Sequence, residues 1–142
     1  MKIILGSDEK TSLTNLITKW LKKANHSVEK IGHIVREDKK WKWVDIGKEV
    51  GERVAKGEFN FGVVCCWSGT GVCMAANRFR GARAALCWDA ETARLARKWD
   101  NANILCLSLR FTRETVAKEI LEAWFSGKFD EEGLNEAHKL EE

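Results

Sequence analysis

A cysteine at the junction between a buried strand and a helix is the residue best placed for chemistry in this chain. The apolar run over residues 61–65 predicts a buried parallel strand, and small residues from Val72 onward predict the first turns of a helix. Cys66 therefore lies at the carboxyl end of the predicted sheet, where open α/β folds bind ligands. We expect a base or nucleophile on this turn to face solvent, and the field of the following helix favours a thiolate there.

The turn after Cys66 also carries main-chain groups that an anionic intermediate needs. The amides of residues 68–72 stand where a helix has no earlier carbonyl to pair with, so they can hold an anionic oxygen or an enediolate. Gly69 and Gly71 are expected there because close backbone approach and positive φ both demand glycine. Ser68 is compatible with two roles, as a cap of the helix or as a hydroxyl that takes part in the reaction.

Composition predicts one domain, and it disfavours several classes of function. The 142 residues, 44% of them hydrophobic, are enough for a full core, so the whole chain 1–142 is expected to be a single domain. The 24 basic residues are interspersed with 21 acidic ones, which leaves no stripe typical of nucleic-acid binding and no polybasic membrane segment. Residues 1–6 form a short apolar run rather than a signal peptide, and no stretch could span a bilayer, so a cytoplasmic protein is expected.

The cysteine spacing favours reduced thiols in the core. Five cysteines lie in or beside apolar strands, and they lack the paired spacing of zinc ligands. An odd number of cysteines also fits a disulfide framework poorly. We therefore expect neither a metal nor disulfides.

Strands and helices alternate along the chain. The strict alternation implies right-handed crossovers and a parallel sheet covered on both sides. The predicted fold class is therefore α/β, a Rossmann-like three-layer α/β/α sandwich with a five-stranded parallel sheet. The predicted strands are 2–7, 27–32, 61–65, 82–87 and 104–108; the helices are 13–21, 44 to about 57, the segment after 71, 89–98 and 112–125; 33–42 is a charged loop.

The tail from about residue 128 changes character. It is largely acidic and carries a weak helical stripe at Leu134, Ala137, His138 and Leu140. This pattern is compatible with a terminal helix that packs on a partner subunit, and equally with a frayed end.

Five segments, taken in order, carry a family resemblance over nearly the whole chain. They read Gly6-Ser7-Asp8, Cys66-Trp67-Ser68-Gly69-Thr70-Gly71, Ala75-Ala76-Asn77-Arg78, Gly81-Ala82-Arg83-Ala84-Ala85 and Asn101-Ala102-Asn103-Ile104-Leu105. Together they resemble the ribose-5-phosphate isomerase B and galactose-6-phosphate isomerase family. The resemblance implies interconversion of aldose and ketose phosphates through a cis-enediolate, without metal or cofactor. It also implies a homodimer, or a tetramer, in which each active site draws on two subunits.

The resemblance assigns roles to individual residues. Cys66 takes the position of the base that moves a proton between the two reacting carbons. Ser68 takes that of a hydroxyl that assists the transfer, and the amides of residues 67–72 would stabilise the enediolate oxygen. The further candidates for substrate binding are Asp8, Glu9, Trp43, Trp67, Gly69, Thr70, Gly71, Val72, Asn77, Trp99, Asp100 and Arg110.

The chain departs from the family pattern around the phosphate and at the ring-opening position. Arg110 matches a family arginine, but other cations and histidines are replaced, and phosphate is normally held by charge-assisted arginine contacts. The resemblance therefore implies retained enolisation with a substrate other than ribose 5-phosphate: an unphosphorylated or altered sugar, or a short open-chain one. The replacements are Glu9 for a histidine, Lys42-Trp43-Val44 for Asp-Tyr-Pro, Trp99-Asp100 for a histidine and an asparagine, and Glu132-Gly133-Leu134 with Glu136-Ala137 for the phosphate-binding tail motif.

Other interpretations of the same residues stay open. Cys66 also suits a small apolar residue at a strand end, and Asp8 suits a cap of the first helix. Glu9 would be a favourable acid in that helix's first turn, and Arg110 could form a surface ion pair. The three candidate indoles, Trp43, Trp67 and Trp99, would also suit a core or a subunit interface.

Two other function classes are compatible with such a fold. One is a non-catalytic sugar-binding or regulatory paralogue that keeps the pocket without turnover. The other is a nucleotide or flavin domain, because Gly69-Thr70-Gly71 follows a strand. The absence of both GxGxxG and GxxxxGK[ST] patterns disfavours the second class.

Overall fold

A five-stranded parallel sheet forms the centre of the computed structural model, which describes residues 1–36 and 41–142. The strand order is β2-β1-β3-β5-β4, and every pairing is parallel. The predicted parallel sheet is thus confirmed. The strands are β1 (Lys2–Ser7), β2 (Ser27–Gly32), β3 (Phe61–Cys66), β4 (Ala84–Leu86) and β5 (Ile104–Ser108).

Six α-helices lie in the described residues, and they follow the predicted alternation. They are α1 (Ser12–Lys23), α2 (Trp43–Ala55), α3 (Thr70–Ala76), α4 (Ala90–Asp100), α5 (Glu114–Ser126) and α6 (Glu131–His138), with a final 3-10 turn (Lys139–Glu141). None of the helices in this part of the chain has the length and apolar character needed to cross a bilayer. The predicted loop over 33–42 includes residues 37–40, which lie outside the described residues.

The sheet is buried on both faces because alternate side chains of each strand enter different helical layers. Leu5, Val63 and Leu105 pack with α1, α4 and α5 on one face. Ile4 and Val64 pack with α2 and α3 on the other. The result is the predicted three-layer α/β/α sandwich.

The α2–α3 contact is unusually close, and it brings the start of α2 over the turn that follows β3. A Cβ added to Gly47 would lie 2.7 Å from the carbonyl oxygen of Val72 and 2.5 Å from Ala75 Cβ. Because any side chain at residue 47 would separate the helices, glycine is what lets α2 pack directly on α3. As a consequence, the indole of Trp43, the first residue of α2, lies directly against Gly71 of α3.

The acidic tail packs on its own chain. Gly133 of α6 approaches the end of α4 so closely that a Cβ would lie 2.7 Å from Trp99 Cα. Farther on, the Glu141 carboxylate accepts hydrogen bonds from Gly81 N at 2.7 Å and from the Arg83 guanidinium at 2.8 Å. The structure therefore favours an ordered tail over a frayed end, while packing on a partner subunit stays a prediction.

Candidate active site

Cys66 is the last residue of β3, and its sulfur faces the turn that follows. The Gly69 N–H donates to Cys66 Sγ at 3.2 Å. The expectation that Cys66 faces solvent is wrong, because only 4% of the residue is exposed. The physical reason is that β3 extends one residue beyond its predicted end, so alternation directs Cys66, like Val64, into the layer of α2 and α3.

Gly69 and Gly71 are both required, but for different reasons. Gly69 caps α3 in the left-handed region with φ +78°, and a Cβ there would lie 2.6 Å from Leu86 Cδ1 and 3.0 Å from Ser108 N. Gly71 has no positive φ; a Cβ there would instead lie 2.7 Å from Trp43 Cε3. The expectation of positive φ is thus correct for Gly69 alone, and Gly71 provides space for the indole of Trp43.

The start of α3 presents main-chain donors to this turn. Thr70, Gly71 and Val72 occupy the first three helical positions, where N–H groups have no intrahelical acceptor. No side chain caps α3; the Ser68 hydroxyl pairs with that of Thr70 at 2.8 Å instead. The capping role considered for Ser68 is therefore not observed. The Val72 side chain is fully buried, so only its main chain can contribute to a site.

Asp8 directly follows β1. It lies beside the end of β3, because Ser7 pairs with Cys65 in the parallel register of the two strands. Its Oδ1 is buried and has no hydrogen-bond partner among the described residues. Burial, and next the charge of Glu9, raise the pKa of the Asp8 carboxyl, against opposing effects of its own backbone N–H and His33. Asp8 does not cap α1, because Thr11 does, and Glu9 lies outside the first turn of α1.

The segments after β3 and β5 are hydrogen-bonded side by side. Ser108 Oγ donates to the carbonyl of Trp67 at 2.9 Å, and Arg110 N donates to the same oxygen at 3.1 Å. Arg110 is exposed, and no ion pair of its side chain occurs among the described residues. Trp43 and Trp67 are also exposed, at 46% and 58%. None of these three residues therefore belongs to the core.

A cavity of about 400 Å³ opens beside this junction. It lies at the carboxyl ends of β4 and β5, and we call it the Trp88 cleft. Sequence reasoning missed its aromatic walls, Trp88 and Phe111, although both residues follow a predicted strand. Residues lining the cleft are Ser68, Leu86, Cys87, Trp88, Ser108, Arg110, Phe111 and Thr112.

Three predicted site residues lie at the opposite end of the sheet. Asn77 follows the seven residues of α3, which extend about 10 Å from the turn, and its side-chain amide pairs with the backbone of Ala84 at 2.8 and 2.9 Å. Trp99 and Asp100 end α4, whose first residues follow the carboxyl end of β4. A single chain therefore does not bring these three residues together with Cys66.

The remaining cysteines differ from Cys66 in their surroundings. Burial raises the pKa of the Cys65 and Cys106 thiols, and it raises that of Cys87 to about 12. Cys73 is half-buried, and a hydrogen bond with Cys106 lowers its pKa. Within residues 1–36 and 41–142, no cluster of three His, Cys, Asp or Glu side chains is placed to hold a metal ion.

Comparison with known proteins gives matches over the whole chain. The model of the ribose/galactose isomerase family matches residues 3–142. A D-erythrulose-4-phosphate isomerase of Pectobacterium atrosepticum is 31% identical over 99% of this chain and 91% of its own length. The structure of a Clostridium thermocellum ribose-5-phosphate isomerase B superposes with a TM-score of 0.91 at 34% identity, covering 99% of this chain and 95% of that one. The corresponding Mycoplasma genitalium enzyme, solved with bound ribulose-5-phosphate, gives 0.90 at 32% identity, covering 99% and 93%.

Proposed function

This chain belongs to the ribose/galactose isomerase family, and on that premise we propose that it is an aldose–ketose isomerase acting on a sugar or sugar phosphate through a cis-enediolate. The observation that carries the proposal is the position of Cys66. Its sulfur lies at the carboxyl end of the central strand, 3.2 Å from the Gly69 amide and next to the free N–H groups of α3. A base and an oxyanion cradle are thus adjacent, which enolisation requires.

The proposed reaction is a proton transfer within one substrate. The Cys66 thiolate removes the proton from the carbon next to the carbonyl, and the released electron pair forms the carbon–carbon double bond of the enediolate. The negative charge passes to the carbonyl oxygen, where the amides of Thr70, Gly71 and Val72 stabilise it. Cys66 then returns the proton to the neighbouring carbon, and the Ser68 hydroxyl assists the proton exchange between the two oxygens. Carbonyl and alcohol exchange places without a net redox change.

We further propose a short, open-chain substrate rather than ribose 5-phosphate. Trp99 cannot act as the acid that opens a sugar ring, and α6 carries no arginine. D-erythrulose 4-phosphate, named for the relative from Pectobacterium atrosepticum, has four carbons and an esterified terminal oxygen, so it forms no five-membered ring. A substrate of that kind needs no ring-opening acid, which makes the replacement at residue 99 compatible with turnover.

The position of Trp99 supports a site shared between two copies of the chain. Trp99 and Asp100 lie at the amino end of the sheet, and Trp99 is 38% exposed although α6 packs on its backbone. We propose that a homodimer brings them to the Cys66 turn of the partner subunit. Sedimentation velocity should show a dimer, and mixing Cys66→Ala with Trp99→Ala subunits should restore part of the activity that each variant lacks. A monomer with full activity would contradict the shared site.

A non-catalytic sugar-binding protein is the second candidate, because Cys66 is only 4% exposed. Proton NMR in D₂O separates the two, since enolisation exchanges a carbon-bound proton with solvent. We expect exchange with D-erythrulose 4-phosphate, its loss in Cys66→Ala, and its retention in the control Cys73→Ala. Efficient isomerisation of ribose 5-phosphate would refute the substrate proposal alone. Sugar binding without exchange in any sugar tested would favour the non-catalytic protein.

A further inference from the structure

We propose that Cys73 and Cys106 form a redox pair, in which hydrogen peroxide oxidises the Cys73 thiol and Cys106 then closes a disulfide between α3 and β5. The bond slows the isomerase by moving the turn that follows β3. Only this effect on the rate rests on the proposed function, because the oxidation needs nothing beyond the two thiols and the peroxide.

The two sulfur atoms meet where α3 packs on β4 and β5. Both residues belong to the same apolar layer, Cys106 in its core and Cys73 packed against that core. Cys73 Sγ donates to the carbonyl oxygen of Ala84 at 3.5 Å, and Ala84 pairs with Ile104, which precedes Cys106 in β5. The Cys106 thiol donates a hydrogen bond to Cys73 Sγ. The sulfur atoms are therefore in contact before any oxidation.

The two thiols differ in exposure, and this difference assigns their roles. All five cysteines lie in the described residues; four are buried, and Cys73 alone is partly exposed. Its sulfur also accepts from Asn77 Nδ2 at 3.7 Å. The hydrogen bond from Cys106 lowers the pKa of the Cys73 thiol against the effect of partial burial, which favours the thiolate that attacks a peroxide. Cys106 is fully buried, so it reacts only with a group that already lies beside it.

Two displacement steps complete the oxidation. The Cys73 thiolate attacks one peroxide oxygen, the O–O bond breaks, and the hydroxide that leaves is protonated to water; Cys73 becomes a sulfenic acid. The Cys106 sulfur then attacks the Cys73 sulfur and displaces the hydroxyl group, which leaves as water with the Cys106 proton. The two thiols lose two electrons and two protons, and one hydrogen peroxide becomes two waters. A dithiol restores both thiols by thiol–disulfide exchange.

The disulfide acts on the reacting turn through α3. A covalent bond holds two sulfur atoms closer together than a hydrogen bond does, so its closure draws Cys73 toward β5. The start of α3 has no room to follow, since a Cβ on Gly69 would already lie 3.0 Å from Ser108 N. Cys73 N donates to Gly69 O at 3.3 Å, which transmits the movement to the turn and its free amides.

Peroxide treatment of the wild-type protein, followed by mass spectrometry without reduction, tests the pair. We expect a loss of two hydrogen atoms per chain and a peptide that links Cys73 to Cys106, both reversed by dithiothreitol. Cys106→Ala should stop at a sulfenic acid on Cys73, which dimedone traps. Cys87→Ala is the matched control, because it removes another buried thiol near Cys73 and should keep the link.

Initial rates with D-erythrulose 4-phosphate measure the effect on turnover. Peroxide should lower the wild-type kcat about 100-fold, the usual order for a displacement of about 1 Å at a reacting group, and dithiothreitol should restore it. Cys73→Ala should keep its rate throughout. Equal inactivation of Cys73→Ala would mean that the peroxide acts on Cys66, and it would overturn the regulation.

The mass measurement needs no turnover, so failure of the redox pair and failure of the isomerase proposal are distinguishable. A reversible link between Cys73 and Cys106 supports the pair even in a protein that converts no sugar. A link without any change in kcat overturns the effect on the isomerase alone. No link after peroxide, or a link from Cys73 to Cys66 or Cys87, overturns the pair. If Cys106→Ala does not fold, Cys73→Ala replaces it, and a link to Cys106 that persists in that variant overturns the pair.

Discussion

Replacing Gly69 by alanine tests whether the shape of the turn after Cys66 controls both stability and chemistry. The chain offers a matched control in Gly57, which has φ +77° against +78° for Gly69. A Cβ on Gly57 meets nothing within 4 Å, whereas one on Gly69 would lie 3.0 Å from the backbone of both Leu107 and Ser108. The two variants share the cost of a left-handed alanine, and only Gly69→Ala adds a collision with β5.

The expected magnitudes follow from that difference. A left-handed alanine costs about 1–2 kcal/mol, which is the whole expected loss for Gly57→Ala. Overpacking against a strand backbone adds about 1–3 kcal/mol, so Gly69→Ala should lose about 2–5 kcal/mol of unfolding free energy. The turn must also move, which takes the Gly69 N–H away from Cys66 Sγ and displaces the amides of α3. Loss of one oxyanion donor typically lowers kcat about 100- to 1000-fold.

Urea denaturation and initial-rate kinetics measure the two effects separately. We expect the Gly69→Ala midpoint to lie clearly below that of Gly57→Ala, and only Gly69→Ala to lose kcat. Equal losses of stability in both variants would refute the steric part of the reasoning. Full kcat in a folded Gly69→Ala protein would refute the role of the turn in catalysis.

Three further predictions concern the neighbourhood of the site and the tail. The folded-state pKa of Asp8 is raised by burial and by Glu9, so wild-type stability is complete below the unfolded value near 3.8 and falls as pH rises through the folded pKa. Asp8→Asn should therefore be more stable than wild type at pH 7 but not at pH 3, as urea midpoints at both values would show; an equal gain at both would contradict this. The Arg83–Glu141 ion pair is partly buried, and a double-mutant cycle with Arg83→Gln and Glu141→Ala should give a coupling free energy of about 0.5–1 kcal/mol. The single variants should also show faster proteolysis of the tail. A coupling of zero would mean that packing alone holds the tail. Iodoacetamide should modify Cys73 before Cys87, because the thiol pKa is lowered in Cys73 and raised by burial in Cys87. Peptide mapping measures the order of modification, and alkylation of Cys87 before Cys73 would contradict this reasoning.

Local patterns were sufficient to predict most of the fold. The bounds of β1, β2 and β5 match the predicted strands residue for residue, because β1 and β5 are largely apolar runs and β2 begins directly after the turn residues Asn25-His26. The predicted fourth strand, 82–87, is longer than β4, because only Ala84–Leu86 pairs with β5. Periodicity reports the pattern within a segment, whereas the extent of pairing depends on the neighbouring strand.

The candidate site was predictable in part. The pattern of an apolar run followed by glycines predicted that Cys66, Ser68 and Gly69 share one turn between a strand and a helix. The near-complete burial of Cys66 was not predicted, because β3 continues through Cys66 and so places its side chain in the same helical layer as that of Val64. The Trp88 cleft was missed for a related reason: β5 lies between β3 and β4, an order that no local pattern reveals, and only that order brings residues 86–88 beside 108–112.

The short edge strand β4 has a consequence for how the protein behaves at high concentration. An unpaired strand edge invites hydrogen bonding with another chain, which is a common start of aggregation. Here the Asn77 side chain donates to Ala84 O at 2.9 Å and accepts from Ala84 N at 2.8 Å, in the way that a residue of an adjoining strand would. Because β4 is only three residues long, this one side-chain amide leaves few unpaired backbone groups at the edge of the sheet. It therefore disfavours the addition of a strand from another molecule.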